Sequence, residues 1–198
     1  LQERTPREVA LAHPRAEEVL AAPKLIDFSA PRSRQISSPH NSPPETQLLS
    51  NGRYTVMMSA GGGGYSRWGD IAITRWREDA TCDDYGTHIY LRDARSGAIW
   101  SAGYQPTAAE PDEYNVGFAE GRAEIVRRDG TLTTVLDVIV SPESDCEVRR
   151  VTVSNHGTRL REIELTHCAE LVLAPATNDW AHPAFSKLFV ETDYIAAK

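Results

Sequence analysis

The chain has 198 residues, of which 40% are hydrophobic and 25% charged, and these values are typical of a globular protein with one large domain or two smaller parts. Its formal net charge is −7, and its arginines are interleaved with acids, as in Arg75-Trp76-Arg77-Glu78-Asp79, which argues against nucleic acid and anionic lipid as partners. No apolar run approaches the ~20 residues that span a bilayer, so we expect no direct membrane contact from this chain.

The first 47 residues predict a linker that is first helical and then extended. The segment Thr5-Pro6-Arg7-Glu8 is typical of a helix start, with an N-cap residue, a proline at the first helical position and an acid in the first turn. After Pro23, prolines recur at positions 31, 39, 43 and 44 among serines, which favours an extended connector, either packed on something or loose. We therefore divide the chain into a linker, 1–47, and a domain, 48–198.

From Leu48 onward the hydrophobic residues recur with period two, which predicts half-buried strands. The predicted strands are 54–58, 71–77, 88–91, 114–118, 123–127, 133–140, 147–154, 163–173 and 188–192. Turn sequences such as Ser96-Gly97 and Arg128-Asp129-Gly130 separate several of them. Many strands at short spacing without intervening helices favour a mainly β, antiparallel sandwich. Because the chain ends directly after the last predicted strand, we expect a domain truncated at its C-terminus.

The cysteines and histidines favour neither a disulfide framework nor a metal site. Cys82, Cys146 and Cys168 form no CxxC pair, so the preferred interpretation is three reduced thiols in a cytosolic chain. A metal site of Cys82 with Asp83 and Asp84 would mix soft with hard ligands at no recognisable spacing. The histidines form no HxH or HExxH pattern. We expect no metal and no cofactor.

Four consecutive glycines at 61–64 are the most unusual local feature of the sequence. Such a run exposes backbone N–H groups and permits positive φ, as in a phosphate-binding loop. The Gly-Lys-Ser/Thr sequel of that loop is missing, and the next element is predicted as a strand rather than a helix. A tight strand connection that brings two backbones together is the favoured alternative, and a flexible lip over a ligand pocket is the third.

An aromatic and polar segment follows the glycines and indicates sugar binding. Tyr and Trp offer flat apolar faces to a sugar ring, while Arg and Asp form hydrogen bonds with neighbouring hydroxyls. The equally weighted alternative is a Trp-anchored core strand with Arg–Asp pairs on its rim. Similar mixtures recur around Trp76, Trp100 and Asn178-Asp179-Trp180. The candidate substrate-binding residues are Tyr65, Ser66, Arg67, Trp68, Asp70, Arg75, Arg77, Asp79 and Tyr104.

Two clusters of acids, Asp83-Asp84 and the group Glu110, Asp112 and Glu113, could supply the paired carboxylates of glycoside chemistry. Spacing along the chain does not place any two of them at a catalytic separation, and acids in loops usually face water. We therefore assign no catalytic residue. Ser66 has no G-x-S-x-G context that would make it a hydrolase nucleophile.

Several stretches carry a family resemblance: residues 49–79 with Gly61-Gly-Gly-Gly-Tyr-Ser-Arg-Trp-Gly-Asp70 at their centre, Trp100-Ser-Ala-Gly-Tyr-Gln-Pro-Thr107, Val148-Arg-Arg-Val-Thr-Val-Ser-Asn155 and His182-Pro-Ala-Phe-Ser186. They resemble the cyclic β-1,2-glucan synthases. More narrowly, they resemble the phosphorylase-like part that these enzymes share with cellobiose and chitobiose phosphorylases, glycoside hydrolase family 94 (formerly glycosyltransferase family 36). The resemblance extends over nearly the whole chain.

The resemblance implies a β-supersandwich of the galactose-mutarotase-like type, which in this family precedes an (α/α)6 barrel with the general acid and most phosphate-binding residues. The chain has no helical period long enough for that barrel, so we expect it not to be catalytic by itself. The resemblance implies a carbohydrate-associated domain that helps to position β-glucan in a glycosyltransferase or phosphorylase. The alternative is a structural or dimerisation module that binds no sugar.

The resemblance also implies partners and a location. The partners are β-glucan or another oligosaccharide, the parent's barrel and a second copy of the chain. The location is the cytoplasmic side of a bacterial inner membrane, as a soluble part of a membrane-anchored parent. Residues 65–70 match the family's Gly-Gly-Tyr-Ser segment and inherit a sugar-proximal role, although Gly69 stands where relatives often carry a larger residue. A mutarotase activity would require a His–Glu pair in a pocket, which the sequence does not support.

Overall fold

A computed structural model describes residues 33–77 and 84–195, and within them thirteen strands form three antiparallel sheets, followed by two short helices. The strands are β1 (Arg34–Ile36), β2 (Thr46–Ser50), β3 (Tyr54–Ser59), β4 (Gly64–Trp68), β5 (Ile71–Thr74), β6 (Thr87–Asp93), β7 (Ile99–Ser101), β8 (Glu113–Ala119), β9 (Arg122–Asp129), β10 (Leu132–Val140), β11 (Glu147–Asn155), β12 (Ile163–Ala169) and β13 (Leu171–Pro175). The helices are α1 (Ala176–Ala181) and α2 (Pro183–Lys187). The predicted mainly β, antiparallel fold is confirmed.

The strands are ordered β1-β8-β9-β10-β11 in the first sheet, β12-β6-β7 in the second and β13-β5-β4-β3-β2 in the third. Tight turns join successive strands where the sequence predicts them. Gly97, between β6 and β7, has φ +74°, and Gly130, between β9 and β10, has φ +61°. These positive φ values favour glycine, and they allow each pair of strands to continue as a hairpin.

The hydrophobic core lies between the first and third sheets, where β9 and β10 pack against β2 and β3. Alternate residues of β3 point into it, so Val56 and Met58 are buried while Met57 between them is only partly covered. Val116 and Ile125 face them from the first sheet and are fully buried. Each fully buried side chain of this size contributes about 1.5–3 kcal/mol, so the period-two pattern is the main stabilising feature of the fold.

Several predicted strand boundaries are wrong. Residues 188–192 form no strand but follow α2, and the apolar run there finds no strand partner among the described residues. The predicted strand 163–173 is divided into β12 and β13, which pair with different sheets. The strands β1, β2 and β7 are not among the predicted ones, and β1 and β7 have only three residues each, too few to show a periodicity. The division at residue 47 stays a prediction; β1 lies before it and pairs with β8.

The glycines at 61–64 are buried, and their backbone passes close to that of other segments. A Cβ atom on Gly64, which has φ +148°, would lie 2.0 Å from the carbonyl oxygen of Met57. The backbone N–H groups of Gly62 and Gly64 donate to the carbonyl oxygens of Ser59 and Tyr85, at 2.9 and 2.8 Å. Because these donors are already used inside the protein, the run is a tight connection and neither a phosphate loop nor an open lip.

Candidate functional site

A groove of about 790 Å³ lies on the outer face of the third sheet, the face that points away from the core, and α1 forms its other wall. The alternation of β4 places Tyr65 and Arg67 on this face and Ser66 and Trp68 on the opposite one. Across the ladder, Arg67 pairs with Ala72, whose small side chain leaves space beside the guanidinium. The lining residues are Tyr65, Arg67, Ala72, Thr74, Trp76, Ala176, Thr177, Trp180 and Ala181.

Three aromatic side chains give the groove its apolar walls. The rings of Tyr65 and Trp76 meet edge to face, with their centroids 5.5 Å apart. Trp180 extends from α1 on the other side, and its ring has the guanidinium of Arg77 5.8 Å from its centroid. Flat aromatic faces of this kind present a large apolar area at low conformational cost, which is what the C–H face of a sugar ring requires.

A buried ion-pair cluster attaches α1 to the end of β5. Asp179 is 1% exposed and accepts hydrogen bonds from Nε and Nη2 of Arg75 at 3.0 and 2.6 Å, and from Nη2 of Arg77 at 2.6 Å. Arg75 also donates to Glu170 at 3.0 Å. The hydrogen bonds from Arg75 hold the pKa of the Asp179 carboxyl below its usual range. The structure thus places Arg75 and Arg77 behind the groove wall, where they position Trp180.

Arg67 differs from these arginines. Its side chain lines the groove, yet that side chain makes no hydrogen bond or ion pair with any of the residues that the structure describes. Among the described residues that line the groove there is no Asp or Glu, and Arg67 is the one charged side chain.

The other predicted site residues near β4 face away from the groove. Ser66 is buried, and its hydroxyl donates to Glu147 at 3.0 Å. The indole Nε1 of Trp68 donates to Asp145 at 2.8 Å, and this hydrogen bond lowers the pKa of the Asp145 carboxyl. Asp70 is exposed in the turn between β4 and β5. Asp79 lies outside the described residues.

Tyr104 belongs to a separate surface cluster. Its hydroxyl donates to Glu110 at 2.8 Å, and its ring meets that of His40 at 4.8 Å between centroids. His40 and Glu110 lie 3.1 Å apart, so the chain does contain a His–Glu pair. Their side chains are 52% and 66% exposed, and none of the three residues lines the groove. This arrangement is that of a solvated surface pair rather than of converging catalytic groups in a pocket.

The sequence-based list omitted the residues that complete the groove, namely Trp76, Thr177 and Trp180. The signal was present, because Trp76 and the segment around Trp180 repeat the aromatic and polar mixture of residues 65–70. Which aromatics meet depends on strand pairing and on the position of α1, and neither is visible in a local pattern. In 33–77 and 84–195, no group of three His, Cys, Asp or Glu side chains could hold a metal ion.

The three antiparallel sheets define the class of protein as a β-supersandwich. The family model described as "Glycosyl hydrolase 94, supersandwich domain" matches residues 30–198, and the chain therefore belongs to this family.

Three relatives illustrate the breadth of the family. The chain is 41% identical over 193 residues to cyclic β-(1,2)-glucan synthase NdvB of Rhizobium meliloti. The aligned region covers 98% of this chain and 7% of the relative. It is 26% identical over 153 residues to N,N'-diacetylchitobiose phosphorylase of Vibrio proteolyticus, 75% of this chain and 19% of the relative. It is 28% identical over 109 residues to solabiose phosphorylase of Paenibacillus borealis, 55% of this chain and 14% of the relative.

The chain thus spans less than a fifth of the length of each of these relatives. In the part of the chain that the structure describes, neither helix has the length and apolar composition needed to cross a bilayer.

Proposed function

We propose that this chain is a non-catalytic, carbohydrate-associated domain of a cyclic β-1,2-glucan synthase, and that its groove positions β-glucan for a phosphorylase-like catalytic barrel in the same protein. The likeness to such a synthase over nearly the whole chain supports the parent activity. The observation that carries the binding role is the meeting of Tyr65, Trp76 and Trp180 in one groove.

The size of the groove suits a saccharide. Its volume of about 790 Å³ lies within the range of roughly 300–1,000 Å³ that is common for small-molecule sites. Its lining is mostly apolar, with Arg67 and the hydroxyls of Tyr65 and Thr177 as polar groups. We therefore place the ring faces of the glucan against the aromatics and its hydroxyls toward these polar groups.

The groove supports binding rather than catalysis. Glycoside chemistry generally uses two carboxyl groups on either side of the scissile bond. The lining residues that the structure describes include neither Asp nor Glu. In this proposal the chemistry belongs to the barrel of the parent, and the parent is anchored to the inner membrane with this domain on its cytoplasmic side. Protease protection of the domain in intact cells, and its loss in inverted membrane vesicles, would test that location.

A structural or dimerisation role is the second candidate function. It is favoured by the exposed apolar side chains of Phe185, Leu188 and Phe189 at and after α2. A cluster of large exposed hydrophobic residues is typical of a surface that contacts another protein surface. Under this alternative the chain binds no sugar, and removing the groove aromatics changes no ligand affinity.

Calorimetric titration of the full chain with β-1,2-glucooligosaccharides separates the two candidates. We expect weak binding that Trp76→Ala and Trp180→Ala each reduce about tenfold, since a stacked aromatic ring contributes about 1–1.5 kcal/mol. Trp68→Ala is the matched control, because Trp68 and Trp180 are 49% and 57% exposed but lie on different faces of the domain. No heat from folded protein, or an equal loss in the Trp68 variant, would reject the proposed groove.

A further inference from the structure

The charge of the groove is unusual for this protein. The chain has a formal net charge of −7, yet the one charged side chain among the described residues that line the groove is the cation Arg67. Behind the wall, the charges of Arg75 and Arg77 are balanced by Asp179 and Glu170. Arg67 has no such partner among the described residues, so its positive charge remains available to a ligand.

The hydrogen-bonding groups of the lining are mainly donors. Arg67 has five N–H donors and no acceptor, and the indole groups of Trp76 and Trp180 are donors only. The hydroxyl of Thr74 already accepts a hydrogen bond from the backbone N–H of Ser66 at 2.9 Å. A neutral sugar hydroxyl both donates and accepts, whereas a carboxylate or phosphate oxygen without a proton only accepts. Because the described lining residues supply many donors and no carboxylate, they match an anionic group better than a hydroxyl.

We propose that the groove selects saccharides that carry an anionic group, a carboxylate or a phosphate ester, and that Arg67 is the residue that determines this specificity. This inference rests on the proposed saccharide binding. Arg67 stands two residues from Tyr65 on the same face of β4, opposite Ala72, and it is only partly buried. A ring stacked on the aromatics would bring its substituent to Arg67, which can bind two oxygens of a carboxylate or phosphate at once.

The test compares three ligands on the full chain: a neutral β-1,2-glucotriose, the same trisaccharide oxidised at one C6 to a uronate, and its 6-phosphate ester. We expect both anionic ligands to bind about fivefold to tenfold more tightly than the neutral one. The two anionic arms show whether a carboxylate or a phosphate ester fits better. The advantage should shrink at 0.5 M salt, because Arg67 is only partly buried and its charge is open to screening.

Two variants of Arg67 and one control assign the effect to this residue. Arg67→Gln should abolish the advantage of the anionic ligands, so that all three trisaccharides bind with affinities within about twofold of one another. Arg67→Lys should retain part of the advantage, because the charge remains while the planar fork is lost. Arg128→Gln is the matched control, since it also removes one positive charge but from an exposed pair with Glu113 in the first sheet. It should change none of the three affinities.

The outcomes separate this inference from the proposed function. If no saccharide binds, saccharide binding itself fails and the inference fails with it. If the neutral trisaccharide binds and the anionic ones bind no more tightly, the groove binds sugar but does not select charge, and only the inference is overturned. An advantage that persists in Arg67→Gln would also overturn it. So would displacement of the phosphate ester by inorganic phosphate at equal concentration, because the anion alone would then account for the binding.

Discussion

The two faces of the third sheet carry similar types of residue, but the side chains differ in whether they form hydrogen bonds within the protein. On the face toward the core, Ser66 and Trp68 are bonded to Glu147 and Asp145. On the outer face, Tyr65 and Arg67 alternate with them along the same strand but border a groove, and Arg67 has no partner among the described residues. The polar groups of Ser66 and Trp68 are therefore already paired inside the protein, whereas the side chain of Arg67 is available to a ligand.

The comparison shows what distinguishes structural from ligand-directed polar residues in this domain. A polar group that is already bonded inside the protein stabilises the fold and gains little from a ligand. A group without an internal partner gains a hydrogen bond only when a ligand arrives. The state of its hydrogen bonds, rather than the type of residue, therefore indicates the role of each side chain on β4.

The largest effect is expected from a substitution that disrupts the close packing at Gly64, the first residue of β4. Gly64→Ala would place a methyl group 2.0 Å from the backbone oxygen of Met57, so β3 and β4 must separate. We expect the free energy of unfolding to fall by about 4 kcal/mol or more in urea denaturation. Gly69→Ala is the control: it has φ +53° but open space around the new methyl, and should cost about 1 kcal/mol. Equal losses would contradict the close approach at Gly64.

A second variant removes the ion pairs that hold α1 beside the outer face of the third sheet. Asp179→Asn leaves Arg75 and Arg77 without their buried counter-charge, and breaking such a pair costs about 3–5 kcal/mol. Amide hydrogen exchange should show that residues 176–181 lose protection, and saccharide binding should fall with them. Glu170→Gln is the control, because its side chain is 54% exposed and its pair with Arg75 is worth less than about 1 kcal/mol. A stable Asp179 variant with a protected helix would show that α1 is held by other contacts.

A third variant tests whether the two faces are independent. Trp68→Phe keeps an aromatic ring but removes the hydrogen bond to Asp145, which should cost about 1 kcal/mol in thermal or urea unfolding. Saccharide affinity should stay unchanged, because Trp68 faces away from the groove. A loss of affinity comparable to that of Trp76→Ala would show that the faces are coupled.

The smallest effect is a pH dependence of stability that comes from the buried His88 in β6. Arg149 joins Glu147 to the backbone oxygen of Thr87, and the neighbouring His88 is buried with its Nε2 3.0 Å from the carbonyl oxygen of Asp84. Burial, with the charge of Arg149 as a smaller cause, lowers the pKa of His88 below its ordinary value of 6.5. The unfolded chain therefore binds a proton below pH 6.5 that the folded chain resists, and stability should fall as the pH drops from 7.5 to 5.5.

Urea unfolding at pH 7.5, 6.5 and 5.5 measures this slope. His88→Gln should flatten it, while the same change at the exposed His156 should leave it in place. An unchanged slope in the His88 variant would assign the pH dependence to other groups. Asp179, whose pKa is lowered by its arginines, contributes stability that is lost only at more acidic pH, so the two effects occupy separate windows.

Much of the fold could be predicted from the sequence, because each strand carries its own alternation and each hairpin its own turn residues. The β10–β11 pair illustrates this, since period two is visible along both strands. The apolar residues 188–190 show the limit. They have the composition of a strand, but a strand also needs a partner edge, and local composition does not report whether one is present.

The sequence by itself determined the family, the mainly β architecture and the segment in which the candidate site lies. These follow from local alternation, from turn chemistry and from a long matching run of residues. The tertiary structure alone decided which residues of that segment share a surface. It placed Ser66 and Trp68 on the face opposite the groove, paired Arg75 and Arg77 with Asp179, and brought Trp180 from more than 100 positions away into the groove with Tyr65 and Trp76. The physical reason is that these contacts depend on strand pairing and on ion pairs between residues far apart in the sequence, which no local pattern encodes.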